Sequence, residues 1–179
     1  DERDRYADLK YELLKNDESY VKNESPFAGY TLGKYDLIQS ILRAAQFDRA
    51  RVLQCSHPKE WEVAKKIVLK AGSGLDLAGA YQDPNRVDLV LYKGTFVVGY
   101  LSAQVQDHQV VLRFLSVLKE HQSAGLGQYF LENFEKWCKK RGVKEIRMDE
   151  PEKASAFFKK AGYLSIVTGE SKTSLLKVL

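Results

Sequence analysis

The segment from Val110 to Gly127 limits what this chain can fold into more than any other stretch of it. Val110 to Leu118 reads as an apolar strand and Lys119 to Ala124 as a short polar loop. Gly125 and Gly127 then open a helix, Gly125 to Gly142, on which Leu126, Tyr129, Phe130, Phe134, Trp137 and Cys138 recur at helical spacing. The first N–H groups of a helix have no partner within it and point outward. The helix dipole adds partial positive charge at that end, and glycine lets a ligand approach the backbone closely. The junction is therefore an anion site suited to phosphate. Two familiar phosphate loops do not fit. A Gly-x-Gly-x-x-Gly dinucleotide loop would need glycine where Phe130 stands, and a Walker loop would need Gly-Lys-Ser/Thr, which is absent.

The rest of the chain sets this junction in a mixed sheet. Residues 1–50 read as helical. Tyr6, Leu9, Leu13 and Leu14 share one face, a break follows at Asn23–Pro26 with Gly29 beyond it, and a second helix is expected from Lys34 to Phe47. Arg51 to Cys55 reads as a strand. Pro58, favoured in a first helical turn, opens a helix to about Ala71 that Gly72 to Gly74 ends. Val87–Tyr92, Thr95–Gln106 and Val110–Leu118 are strands joined by tight turns, an antiparallel meander. After the Gly125–Gly142 helix come a strand at Lys144–Met148, a helix at Pro151–Ala161, and closing strands at Tyr163–Thr168 and Ser174–Leu179. The fold class expected is α/β (α+β): a mixed, mostly antiparallel central sheet flanked by helices. A helical extension, 1–50, precedes the main domain, 51–179.

Composition narrows the function classes. With 44% hydrophobic and 29% charged residues the chain is neither disordered nor fibrous. No apolar run reaches the roughly 18–20 residues that span a bilayer, and no signal-peptide pattern is visible. Two cysteines, Cys55 and Cys138, make no disulfide framework, and His57, His108 and His121 lack regular ligand spacing, so no metal is expected. The reading is a reduced, cytoplasmic protein. Met148 is the only methionine, so further chain is expected upstream of Asp1. The net charge of +4 is mild, and the lysine pairs read as solvated helix faces and C-termini. No nucleic-acid motif is present, so neither nucleic acid nor membrane is an expected partner.

Two motifs make the reading specific. Gln122-Ser123-Ala124-Gly125-Leu126-Gly127 resembles the Gln/Arg-x-x-Gly-x-Gly/Ala loop of the GNAT (GCN5-related) N-acetyltransferases. Ala154-Ser155-Ala156-Phe157-Phe158-Lys159-Lys160-Ala161-Gly162-Tyr163 is similar to that family's second signature, Ala-x-x-Phe-Tyr-x-x-x-Gly-Phe. The resemblance covers about Arg51 to Leu179. It implies a site for acetyl-CoA or free coenzyme A between the strand ending at Leu118 and the strand Lys144–Met148, which splay apart. Backbone groups of Ser116 and Leu118 would hold the pantetheine arm, and the Ser116 N–H would serve as oxyanion donor. The N–H groups from Ser123 to Gln128 would hold the pyrophosphate. The cofactor-binding set so implied is Ser116, Val117, Leu118, Gln122, Ser123, Ala124, Gly125, Leu126, Gly127, Gln128, Ser155 and Phe158.

The chain also departs from the family pattern. Ala124 stands where Arg or Lys often precedes the first loop glycine, with Lys119 or His121 as the nearby charges. Phe158 replaces the usual Tyr that protonates the leaving thiolate, and Pro151 replaces a frequent Asn. Leu112 stands where some members carry a glutamate base. Glu120, Asp149 and Glu150 are the remaining base candidates, and Tyr92, Tyr100, Tyr129 and Tyr163 the remaining hydroxyls. The leading expectation is transfer of acetyl from acetyl-CoA to an amine acceptor, small molecule or protein, by direct attack in a ternary complex. The alternatives are a domain that holds coenzyme A without turnover, and an unrelated polyanion binder. A monomer and a homodimer are both open.

Overall fold

The computed structural model describes residues 2–15, 34–149, 154–168 and 172–179. Along them run α1 (Glu2–Lys15), α2 (Tyr35–Ala44), β1 (Ala50–Gln54), α3 (Pro58–Lys70), β2 (Arg86–Lys93), β3 (Phe96–Gln106), β4 (Gln109–Val117), α4 (Leu126–Lys140), β5 (Glu145–Asp149), α5 (Ser155–Lys160), β6 (Leu164–Thr168) and β7 (Lys172–Val178). The fold class is the one expected, and most boundaries move by one or two residues. The break expected at Asn23–Pro26 and the helix opening at Pro151 lie outside the described residues.

The seven strands form one sheet in the order β1-β2-β3-β4-β5-β7-β6. The first four are antiparallel neighbours in chain order, β2 to β4 through tight turns at Gly94 and Asp107 and β1 to β2 by way of α3. The β4–α4–β5 crossover makes the β4–β5 pair parallel. Strand β7 then inserts between β5 and β6 and pairs antiparallel with both.

Each face of the sheet carries its own core. Helix α4 lays Phe130, Leu131, Phe134 and Cys138 against Val110, Leu112, Ile146 and Leu175 on one face. Helix α3 lays Ala64, Ile67 and Val68 against Val90, Tyr92 and Tyr100 on the other. That second core is partly polar. Glu60 is buried and accepts the Tyr92 hydroxyl at 2.6 Å, and buried Asp88 pairs with Arg86 at 3.0 Å and accepts the Tyr100 hydroxyl. Both carboxylates are thus fully partnered, as buried charges must be.

The start of α3 is fixed by a reciprocal cap. His57 Nδ1 accepts the Lys59 N–H at 3.1 Å, and Glu60 Oε2 accepts the N–H groups of Ser56 and His57, each at 2.9 Å. Helix α2 docks on this corner. The Tyr35 ring stacks on His57 at 3.9 Å, and its hydroxyl lies 3.1 Å from that of Tyr92.

Candidate active site

Strands β4 and β5 pair only at Gln109–Glu145, Val110–Ile146 and Val111–Arg147. Beyond that point, among the described residues, β5 pairs with β7 alone, so the edge of β4 from Leu112 to Val117 faces an opening. A bulge begins the divergence. Ala103 faces Leu112 and Ser102 faces Phe114, which leaves Arg113 as the extra residue on β4.

The ladder beyond the bulge decides which backbone groups face the opening. The Leu118 N–H donates to the Val98 carbonyl at 2.8 Å. Orientation alternates along an antiparallel strand, so Ser116, opposite Tyr100, also turns its N–H and C=O toward β3. The groups directed into the opening therefore belong to Leu115 and Val117. The Val117 carbonyl agrees with this, because it accepts the Gln122 side-chain amide at 2.7 Å on that side. The expectation for Ser116 and Leu118 is corrected by one residue: their backbone groups are committed to the sheet.

The chain turns from the opening directly into a helix N-terminus. Residues Lys119–His121 make one 3-10 turn, Ser123 adopts φ +66°, and Gly125 adopts φ +74° at the N-cap of α4. No side chain caps the helix, and its first bond is that from the Tyr129 N–H to the Gly125 carbonyl. The N–H groups of Leu126, Gly127 and Gln128 precede that bond. Gln122, Ser123, Ala124 and Gly125 are exposed, Gly127 is half-buried, and Leu126 turns into the core. A Cβ at Gly127 would stand 3.6 Å from the ring of Phe157, so the residue lies where α5 meets the loop.

The second motif behaves differently from its expected role. Phe158 is 2% exposed, locked edge-on between Phe157 and Tyr163 with centroids 5.0 and 5.4 Å away. Its ring belongs to the core and offers no surface to a ligand. Its half-buried neighbour Phe157 faces the loop instead. Ser155 is half-buried at the start of α5.

The acid–base candidates sort by burial. Tyr92, Tyr100 and Tyr163 are fully buried, and desolvation drives all three phenols far above their ordinary range. The Tyr129 hydroxyl is spent on the Ala50 carbonyl at 3.2 Å. Leu112 points into the α4-side core, and Glu120 and Asp149 are exposed. Both cysteines are free and buried, and burial pushes the Cys138 thiol up to about 12, so it is no nucleophile at neutral pH.

A cavity of about 320 Å³ adjoins the end of β4, between Ile67 and Lys70 of α3 and the stretch Ser116–Glu120. A larger one, about 1520 Å³, lies away from the opening, between α3, the loop from Ser73 to Pro84 and the start of β2. Among the described residues no cluster of ligating side chains could hold a metal, and no helix is long and apolar enough to cross a membrane.

This geometry has many relatives among solved structures. The ribosomal-protein-S18-alanine N-acetyltransferase from Escherichia coli superposes with a TM-score of 0.61 at 16% identity, over 73% of this chain and 93% of that one. A GNAT-family acetyltransferase from Staphylococcus aureus Mu50 gives 0.62 at 13% identity, over 73% and 99%. An acetyltransferase from Thermus thermophilus gives 0.52 at 23% identity, over 82% and 91%. At these identities the likeness is one of fold. No curated protein matches the sequence. The profile of the Acetyltransferase (GNAT) family, however, matches residues 49–163, from the residue before β1 to the last residue of the second motif. That match spans well over half of the sequence and takes in both motifs and the two strands that part, so the chain belongs to the GNAT acetyltransferase family.

Proposed function

We propose that this chain is an N-acetyltransferase that moves an acetyl group from acetyl-CoA to an amine in a ternary complex. One observation carries the reading: the edge of β4, unpaired among the described residues, leads through one short loop, Leu118 to Gly125, into the uncapped N-terminus of α4. An extended carrier arm with a pyrophosphate at one end needs those two features joined in that order. The residues present fit such a group. Leu115 and Val117 offer strand-edge backbone groups, the start of α4 has no side-chain cap, and Gly125 has open space where a Cβ would stand. Acetyl-CoA, when bound there, supplies an acetyl group already activated as a thioester.

The chain's own contributions are orientation and a hydrogen-bond donor. The Val117 carbonyl would accept from an amide of the arm once the Gln122 side chain swings away. The Leu115 N–H, two residues earlier on the same edge, is the donor placed to stabilise negative charge on the acyl oxygen. Removing one such donor typically costs about 10²–10³ in rate. Proximity in the ternary complex supplies much of the remainder. Among the described residues no side chain facing the opening is placed to act as an acid, and general acid–base help is worth about 10²–10⁴ where it exists. A slow enzyme is expected.

The burial of Phe158 gives a second reading some weight, that of a domain which holds coenzyme A without turnover. One experiment separates the two. The thermal midpoint is measured with acetyl-CoA, with free coenzyme A and with neither, and thiol release is followed in the presence of amines. Ligand at 100 times Kd adds about 2.7 kcal/mol, a rise of several degrees for a domain of this size. A rise together with amine-dependent thiol release is expected. A rise without release under any amine would favour the silent module, and no rise would defeat both.

A further inference from the structure

The bulge on β4 does more than start the divergence of the strands. Val110, Leu112, Leu115 and Val117 all pack toward the α4-side core, whereas Phe114 packs beside Tyr100 under α3. The alternation thus slips between Leu112 and Leu115, and the slip places Arg113 and Phe114 together on the α3 face, opposite Ser102. Arg113 is exposed, and no hydrogen bond or ion pair holds it among the described residues. It stands two residues before Leu115, about 6–7 Å along the strand.

The neighbouring strand brings a second cation to the same face. Arg147 pairs in register with Val111 and shares its face, because Val110 and Ile146 both point to the other. It gives Nε and Nη2 to Glu145 at 3.0 and 2.9 Å, which leaves its Nη1 without a partner among the described residues. Asp149 lies further along, at the exposed end of β5. Two guanidinium groups, one from each strand, therefore flank the point where β4 and β5 part. The β4 residues on this face are Gln109, Val111, Arg113, Phe114 and Ser116, and none is a carboxylate.

On the reading that acetyl transfer takes place in this opening, we propose that Arg113 selects the acceptor: an amine that also carries an anionic group, carboxylate or phosphate. The planar fork of a guanidinium suits both anions. A diamine or polyamine would meet like charge at the same place. The arrangement also favours reaction, because a nearby cation disfavours protonation of the incoming amine and leaves more of it as the free nucleophile. Beside Arg113 the Phe114 ring packs on that of Tyr100, and the nearest carboxylate further across this face, Asp88, is already held by Arg86 and the Tyr100 hydroxyl.

The test compares matched acceptors with the wild-type protein and with the Arg113→Gln and Arg113→Lys variants. Alanine is set against alaninamide, phosphoethanolamine against ethanolamine, and glutamate against putrescine. The wild type is expected to favour the anionic member of each effective pair by about tenfold or more in kcat/KM. Arg113→Gln should erase that preference through the acceptor KM, leave the KM for acetyl-CoA unchanged, and keep the wild-type melting temperature, since the side chain is exposed. Arg113→Lys should retain part of the preference. Calorimetric titration of the same acceptors into protein saturated with coenzyme A gives a readout free of turnover and should show the same order. Alanine winning its pair identifies carboxylate as the anion, and phosphoethanolamine winning identifies phosphate. A preference for putrescine or for the neutral partners overturns the proposal. So does discrimination that survives Arg113→Gln, or failure of every anionic acceptor to bind the coenzyme-loaded protein. A protein that does not bind acetyl-CoA at all would instead bring down the transferase reading beneath it.

Discussion

Phe158 shows how a motif can be present while its chemistry is not. The sequence places it where related chains carry a tyrosine, and its identity alone removes the hydroxyl. The structure adds that the ring is enclosed by Phe157 and Tyr163. Restoring the tyrosine should therefore not restore an acid. Phe158→Tyr would bury an oxygen among aromatic rings at a cost of about 1–3 kcal/mol, read as a lower melting temperature, with turnover no higher than wild type. A rise in turnover would show that the ring reaches the opening. The backbone donors teach a related lesson. Gln122, Gly125 and Gly127 are legible as a loop because their spacing is a matter of composition. Whether Ser116 or Leu115 faces the opening depends on strand parity, and parity is set by the pairing with β3 across the bulge at Arg113. A bulge leaves no mark in a run of residues such as Val111-Leu112-Arg113-Phe114.

Among the elements, α3 depends most on a titrating group. Pro58 announces the helix, but His57 is not legible as its cap, since Ser, Thr, Asp and Asn are the usual residues there. The imidazole works as a cap only while Nδ1 is unprotonated and can accept the Lys59 N–H. Burial is the main cause that holds His57 below its ordinary 6.5, although the Glu60 and Asp36 carboxylates pull the other way. The folded chain thus binds this proton less readily than the unfolded one. Stability rises with pH between the folded value and 6.5, and is lost as the pH falls below 6.5. His57→Asn keeps an acceptor at the cap without the titration. Between pH 7 and pH 5 the wild-type melting temperature should fall further than that of the variant. Parallel curves would mean that the cap does not titrate with folding. Because α2 stacks on the same ring through Tyr35, acidification should loosen both helices together.

At the level of the whole molecule, the meander β2–β3–β4 follows from short turns, whereas the placement of β7 does not. Two closing strands are expected, and nothing in their residues says that the later one goes inside the earlier. That choice is made by tertiary pairing: Leu175 is fully buried against the α4-side core, while Leu164 at the edge is 71% exposed. Leu175→Ala should cost about 2–5 kcal/mol. In native-state hydrogen exchange, the amides of β6 and β7 should lose protection together while those of β2 and β3 keep theirs. Uniform loss across the sheet would mean that the seven strands open as one unit. The inserted strand also orders events in time. During synthesis β6 leaves the ribosome before β7, yet among the described residues β7 is its one neighbour in the sheet. For that interval the nascent chain carries a strand whose ladder, Leu164 to Thr168, has no partner yet. The wall of the opening on the β5 side gains its β7 ladder in the same event, so the candidate site is completed only after β7 has been made.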